Sequence, residues 1–204
     1  MSPYEALNIP IKLMLQVAYR IKAEQIANAP AWLSNEPFDM EAQAERPANA
    51  TELHVMPVNL LVERLQLKFY REQKEMSVYA LTVAKNGIRM TPHSADNAGQ
   101  IWIDEDVDEA HAQLKATFAP MNYFAFRLAR FLDRPVIDAT KLQGGYDFSL
   151  ELTPALNADT NGVVETSLPS VFTAVKQQLG LELKAQRGSA EVLVIDHVEK
   201  PAEE

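Results

Sequence analysis

A chain of 204 residues, 47% hydrophobic and 23% charged, can bury a real core as one large domain or two small ones. Its net charge of -9 repels nucleic acid and anionic membranes, and its lack of cysteine excludes disulfides, thiolate chemistry and zinc–thiolate sites. Lys184, Arg187 and Lys200 are interleaved with Glu182, Glu191 and Glu199 and make no basic patch; no apolar run is long enough to span a bilayer, and Met1-Ser2-Pro3-Tyr4-Glu5 reads as no signal peptide.

In chain order, Tyr4 to Asn8 reads as a short strand and Pro10 as the first turn of a helix. The helical stripe is Ile11, Leu15, Ala18 and Tyr19, widened by Leu13, Met14 and Val17. After the turn Pro30 to Leu33, Phe38 to Ala44 alternates with the period of a half-buried strand. Thr51 is a candidate N-cap for a second helix through Leu53, Leu60, Leu61 and Leu65, with Pro57 kinking it or delaying its start. Leu65 to Phe69 and Met76 to Val83 read as a hairpin with Glu72, Gln73, Lys74 and Glu75 in its turn.

The same order returns about 110 residues later, a spacing that fits two copies of a domain-sized unit. Leu114 to Phe118 precedes Pro120, and Tyr123, Phe124, Phe126, Leu128 and Phe131 make the amphipathic helix. Arg134 to Asp138 gives a short strand, and Gly144-Gly145 marks a turn. Tyr146 to Leu152 then matches Phe38 to Ala44 place for place, setting Asp147 against Asp39. Val171, Phe172, Val175 and Leu179 form the second helix; Leu179 to Leu183 and Ala190 to Ile195 echo the hairpin across a basic turn. The expected fold is α+β: two tandem pseudo-repeats, each β-α-β-β-α-β-β, with helices on a small mixed sheet. The first repeat spans 1–92, a polar and acidic connecting segment 93–113, and the second repeat 114–204, the two together forming two domains or one pseudo-symmetric one. Thr91 to Val107 and Asn157 to Val164 read as surface loops, and Pro201 to Glu204 as a frayed tail.

Candidate chemistry is sparse. Asp104-Glu105-Asp106-Val107-Asp108-Glu109 places acids as a calcium loop does, but an EF-hand needs Gly and Glu where Glu109 and Lys115 stand. His54, His93, His111 and His197 are scattered without metal-ligand spacing, and His111 near Glu109 is the pairing singled out. Gly144-Gly145 lacks a phosphate-loop context, and Ser167, Ser170 and Ser189 lie in no nucleophile elbow. Asp39 and Asp147 could be paired catalytic carboxylates, or scaffold positions bonded to the preceding turn and copied with it. Tyr123, Phe124, Phe126 and Phe131 read as core before ligand groove, and Trp32 and Trp102 as caps on a core edge. No catalytic, cofactor-binding or metal-binding residue is assigned.

The run Arg134-Pro135-Val136-Ile137-Asp138-Ala139-Thr140-Lys141-Leu142-Gln143-Gly144-Gly145-Tyr146-Asp147-Phe148 resembles the RPVxDxTGLxGxYDF signature of a soil-associated bacterial protein family, a domain of unknown function. The C-terminal run from Pro169 to Pro201 agrees as well, as do Ala29 to Leu33, Leu60 to Arg64 and Arg71 to Leu81. Two departures are Lys141, where the family pattern has Gly, and Pro57 within a helix. Each half is also similar to the short N-terminal domain of secretins and TonB-dependent receptors. The resemblance implies a periplasmic or extracellular module that binds or senses a peptide, protein or cell-wall ligand, with no catalytic residues to carry over. The alternative is a small hydrolase or lyase acting through Asp39, Asp138 and Asp147; it requires two of these carboxylates at one pocket, one of them with a perturbed pKa.

Overall fold

Pro10 and Pro120 each hold extended backbone, φ -62 and ψ 137 and φ -65 and ψ 148, directly before a helix, where a proline's missing N–H costs nothing. The computed structural model describes residues 4–42, 62–94, 101–108, 110–154 and 168–200. The chain divides into two packing units, one of residues 1–76 with 189–204, the other of residues 77–188. This partition follows contacts, whereas the sequence pattern divides at 92 and 114.

In the first unit, β1 (Tyr4–Pro10) pairs antiparallel with β3 (Pro37–Ala42). Helix α1 (Ile11–Tyr19) buries Ile11, Met14 and Leu15. The broad stripe read from sequence is narrower in the fold, since Leu13 and Val17 are 45% and 48% exposed. A 3-10 turn at Ala23–Gln25 leads into β2 (Ile26–Ala27), and the segment expected as a plain turn holds a short helix, α2 (Trp32–Asn35). β2 lies parallel to the last part of β10 (Leu181–His197), Ile26 opposite Leu193. Ile11, Leu15, Leu33, Leu65, Leu67, Leu193 and Ile195 form its core. Of the helix expected from Thr51 to Leu65, the part up to residue 61, with Pro57, lies outside the described residues; 62–64 are helical.

In the second unit a four-stranded antiparallel sheet runs in the order β5 (Thr91–Pro92), β9 (Tyr146–Leu152), β7 (Ala112–Ala119), β6 (Trp102–Val107). Alternation sends Ala112, Leu114 and Ala116 of β7 inward, and a bulge resets the phase so that Ala119 is buried too. Against them pack α3 (Met121–Leu128), which buries Met121, Phe124, Ala125 and Leu128, and α4 (Val171–Ala174) with its π-helical continuation to Leu179. β8 (Val136–Asp138) lies parallel to the end of β4 (Lys68–Val83), Val136 opposite Tyr79.

The α+β class is as expected, with two departures in its elements. Neither hairpin exists. Lys68 to Val83 is one strand of 16 residues and Leu181 to His197 one of 17. Glu72 to Glu75 contains no Gly, Pro, Asn or Asp to reverse the chain. Its polarity reflects exposure instead: from Tyr70 to Ser77 no β4 residue is buried. Gly188 remains in strand, where an added Cβ would stand 3.1 Å from Val78 Cγ2 and 3.3 Å from Ile137 Cδ1. β4 contributes residues 68–76 to the first unit and 77–83 to the second; β10 contributes 181–188 to the second and 189–197 to the first.

The second departure is β6. The acidic stretch read as loop and connecting segment pairs with β7 over six residues. Its charges obscure a period of two, in which Ile103 is buried and Asp104 and Asp106 are exposed.

Candidate functional site

The two aspartates in matched positions hold β-bulges. β1 and β3 lose register between Ala6 and Ile9, β7 and β9 between Ala116 and Ala119. At each bulge one residue takes a left-handed backbone, Asn8 at φ 57 and Phe118 at φ 52. Asn8 N–H donates to Asp39 Oδ1 at 2.7 Å, and Phe118 N–H to Asp147 Oδ1 at 2.8 Å. The carboxylate thus satisfies an amide that the bulge removes from the ladder.

In the second unit the clamp extends further. His93 Nδ1 stands 2.8 Å from both carboxylate oxygens of Asp147, and its backbone N–H donates to Gly145 O at 2.9 Å. The rings of His93 and Phe118 are 5.3 Å apart. Gly145 lies under that ring, since a Cβ there would come within 2.4 Å of Phe118 Cδ2. The Phe118 amide first, and His93 after it, hold the Asp147 carboxyl below its ordinary range. That environment fixes Asp147 as an acceptor at neutral pH, the reverse of what a general acid needs.

Asp138, the third carboxylate of the hydrolase reading, accepts from Thr140 N at 2.9 Å and from Thr140 Oγ1 at 2.7 Å, closing its own turn. Lys141 follows at φ 61, a backbone that suits the Gly of the signature better than a lysine. Arg134 lies 4.9 Å over the Tyr79 ring and donates to Asp133. The conspicuous residues of the signature therefore hold turns and packing.

The acidic run is likewise local. Asp108 Oδ1 accepts from Ala110 N and His111 N at 2.8 and 2.7 Å, which holds its carboxyl below the ordinary value and turns β6 into β7. Glu105, only 6% exposed, accepts from Arg127 Nε at 2.6 Å and from Arg130. Arg127 also donates to Tyr123 Oη at 3.2 Å. Tyr123, Arg127 and Arg130 stand at i, i+4 and i+7 of one helical face. That spacing is legible in the sequence, but its partner Glu105 lies on a distant strand. Half of that row is core: Phe124 and Phe131 are buried, Tyr123 and Phe126 only partly.

His197 pairs with Glu199 at 3.0 Å, and His54 lies outside the described residues. Among the described residues no three His, Asp or Glu side chains converge as metal ligands would. Gly144, at φ 80, forms the bend ahead of β9. Ser170 caps α4, Ser189 donates to Gln73, and Ser167 is outside the described residues. Trp32 packs edge-on against Phe38, ring centres 6.1 Å apart.

A surface depression of about 270 Å³ lies in the second unit, lined by Phe172, Thr173, Lys176, Gln177, Glu182 and Leu183. Phe172 is 41% exposed and meets Tyr79 edge-on at 5.3 Å. Glu182 sits between Lys176 Nζ at 3.0 Å and Lys184 Nζ at 3.4 Å; the Lys176 hydrogen bond, then that of Lys184, keep its carboxyl below the ordinary range. An exposed aromatic next to paired charges can hold a ligand by stacking and hydrogen bonding without reacting with it. No described helix is long and apolar enough to cross a membrane.

Among curated proteins and among solved structures the chain has no match. A family model, described as a protein of unknown function (DUF3738), matches residues 12–198. The chain belongs to that family.

Proposed function

We propose that this protein is a non-enzymatic interaction or sensing module, acting in the periplasm or outside the cell, which binds a peptide, protein or cell-wall ligand. The observation that carries the reading is the contrast between its ionisable residues and its depression. Asp39, Asp138, Asp147 and Glu105 are each tied to a backbone amide, a threonine or arginines. The depression instead presents an exposed aromatic ring and a shared carboxylate to solvent. The extracytoplasmic setting rests on the resemblance to soil-associated proteins and to the short N-terminal domain of secretins and TonB-dependent receptors.

The module is read as a duplication whose copies exchange their long last strands. Supporting this are the paired Pro10 and Pro120 caps, the paired bulge aspartates, and left-handed residues at the matched positions Gln66 and Gly180. The first-half strand β2 pairs with β10, and the second-half strand β8 pairs with β4. Leu65 O accepts from Glu199 N at 2.8 Å and Leu179 O from Arg89 N at 2.8 Å, each donor lying beyond the end of a long strand.

The test is a thermal-shift screen of the whole chain against peptides and peptidoglycan fragments. A ligand should raise Tm in the wild type and lose most of that effect in Phe172→Ala. A set of ligands that stabilises neither protein, or both equally, would remove the depression as the binding site.

A further inference from the structure

Resting on that reading, we infer that the outer edge of β6 is a docking strand for a basic extended peptide, one with Lys or Arg at alternate positions. β6 ends the order β5-β9-β7-β6 and pairs on one side only, from Trp102 opposite Thr117 to Val107 opposite Ala112. In an antiparallel ladder alternate residues aim N–H and C=O away from the partner, so β6 presents a row of backbone groups that a further strand can take. Among the described residues no strand takes them.

The opposite end of the sheet is treated differently. β5 covers β9 at Tyr146 and Asp147, and farther along the Gln178 carboxamide covers it. Gln178 accepts from Glu151 N at 2.9 Å and donates to Glu151 O at 2.7 Å, imitating a paired strand. One edge is covered by a short strand and a side-chain carboxamide, and the other is unpaired among the described residues.

Charge selects the occupant. Glu105 faces α3, where Arg127 and Arg130 neutralise it. Alternation puts Asp104 and Asp106 on the other face, both exposed. Within the sheet Asp104 is opposite Lys115 and Asp106 opposite Gln113. An added strand with cations at alternate positions sets opposite charges across the new pair, whereas a second β6 sets acid against acid. The same aspartates that prevent pairing between copies of this chain therefore admit a basic one, and the net charge of -9 draws it in.

The experiment is an NMR titration of the whole 15N-labelled chain with end-blocked Lys-Val-Lys-Val-Lys-Val at low salt, alongside a version N-methylated at alternate residues and a Glu-Val counterpart. The expected result is perturbation confined to residues 102–108 and their β7 partners, slowed exchange of β6 amides, no binding by either control, and about tenfold weaker binding by Asp104→Asn/Asp106→Asn. Equal binding of the N-methylated peptide, or unchanged affinity in the double variant, overturns the inference. So does perturbation around Phe172 and Lys176 alone, which would leave the interaction reading standing. Absence of any perturbation also overturns it, while the interaction reading is then decided by the ligand screen.

Discussion

Asn8 and Phe118 hold nearly the same left-handed backbone at corresponding bulges, and each gives its amide to an aspartate. Asn tolerates this conformation through its short polar side chain, whereas a phenylalanine there is strained by about 1–2 kcal/mol. In the first unit Asp39 holds the bulge amide, while the second adds His93 to the aspartate and a glycine beneath the ring. The same contrast appears at the helix ends: Gln66 carries φ 49 in the first unit, and Gly180 carries φ 69 in the second. Gly180 also lies so close to Gly87 that a Cβ would be 2.1 Å from its carbonyl oxygen. Matched backbone positions therefore differ in how much surrounding structure depends on them.

The largest separation between the units should come from their ion pairs. Glu105→Ala leaves two arginines beside a buried gap and should cost on the order of 3 kcal/mol. Glu191→Ala breaks the exposed pair with Arg71, 3.0 Å and half in solvent, and should cost under about 1 kcal/mol. Urea unfolding of both variants checks this; equal losses would mean that burial does not distinguish the pairs.

Next is the helix-end comparison. Gly180→Ala meets both a left-handed φ and the Gly87 carbonyl, and should destabilise by about 3 kcal/mol. Gln66→Gly, at the same kind of backbone, should change stability by no more than about 0.5 kcal/mol, because relief of strain and lost chain entropy oppose each other. A Gly180→Ala protein that melts with the wild type would disprove the close approach.

The smallest contrast is between the bulge aspartates. Asp147→Ala strands the Phe118 amide and should cost about 1–2 kcal/mol, against about 0.5–1 kcal/mol for Asp39→Ala at an exposed bulge. The folded protein holds Asp147 below its ordinary value, so its stabilisation is complete above the unfolded carboxylate value, near pH 4, and fades as pH falls through the lower folded one. The stability gap between wild type and Asp147→Asn should close as pH falls below about 4, where the carboxylate protonates. A gap that stays as large well below that pH would contradict the geometry.

These comparisons also separate what could be read from the chain. Pattern identified α1, α3, β7, β9 and the second-half helix, because local alternation and 3.6-residue spacing decide which face is buried. Pattern also placed Asp39 and Asp147 in matching positions and offered the scaffold role as one reading. It could not supply His93, because 54 residues separate it from Asp147 and only sheet pairing brings Thr91 opposite Asp147.

By itself, then, the sequence determined the α+β class and the order of most elements, both of which follow from local periodicity. Tertiary structure alone decided that Glu72 to Glu75 runs straight, that an acidic stretch is a strand, and which long strand each short one joins. Those outcomes depend on partners far along the chain. A polar residue in an exposed strand and one in a turn look the same until its neighbours are in place, and a buried glutamate looks like a solvated one until its arginines arrive.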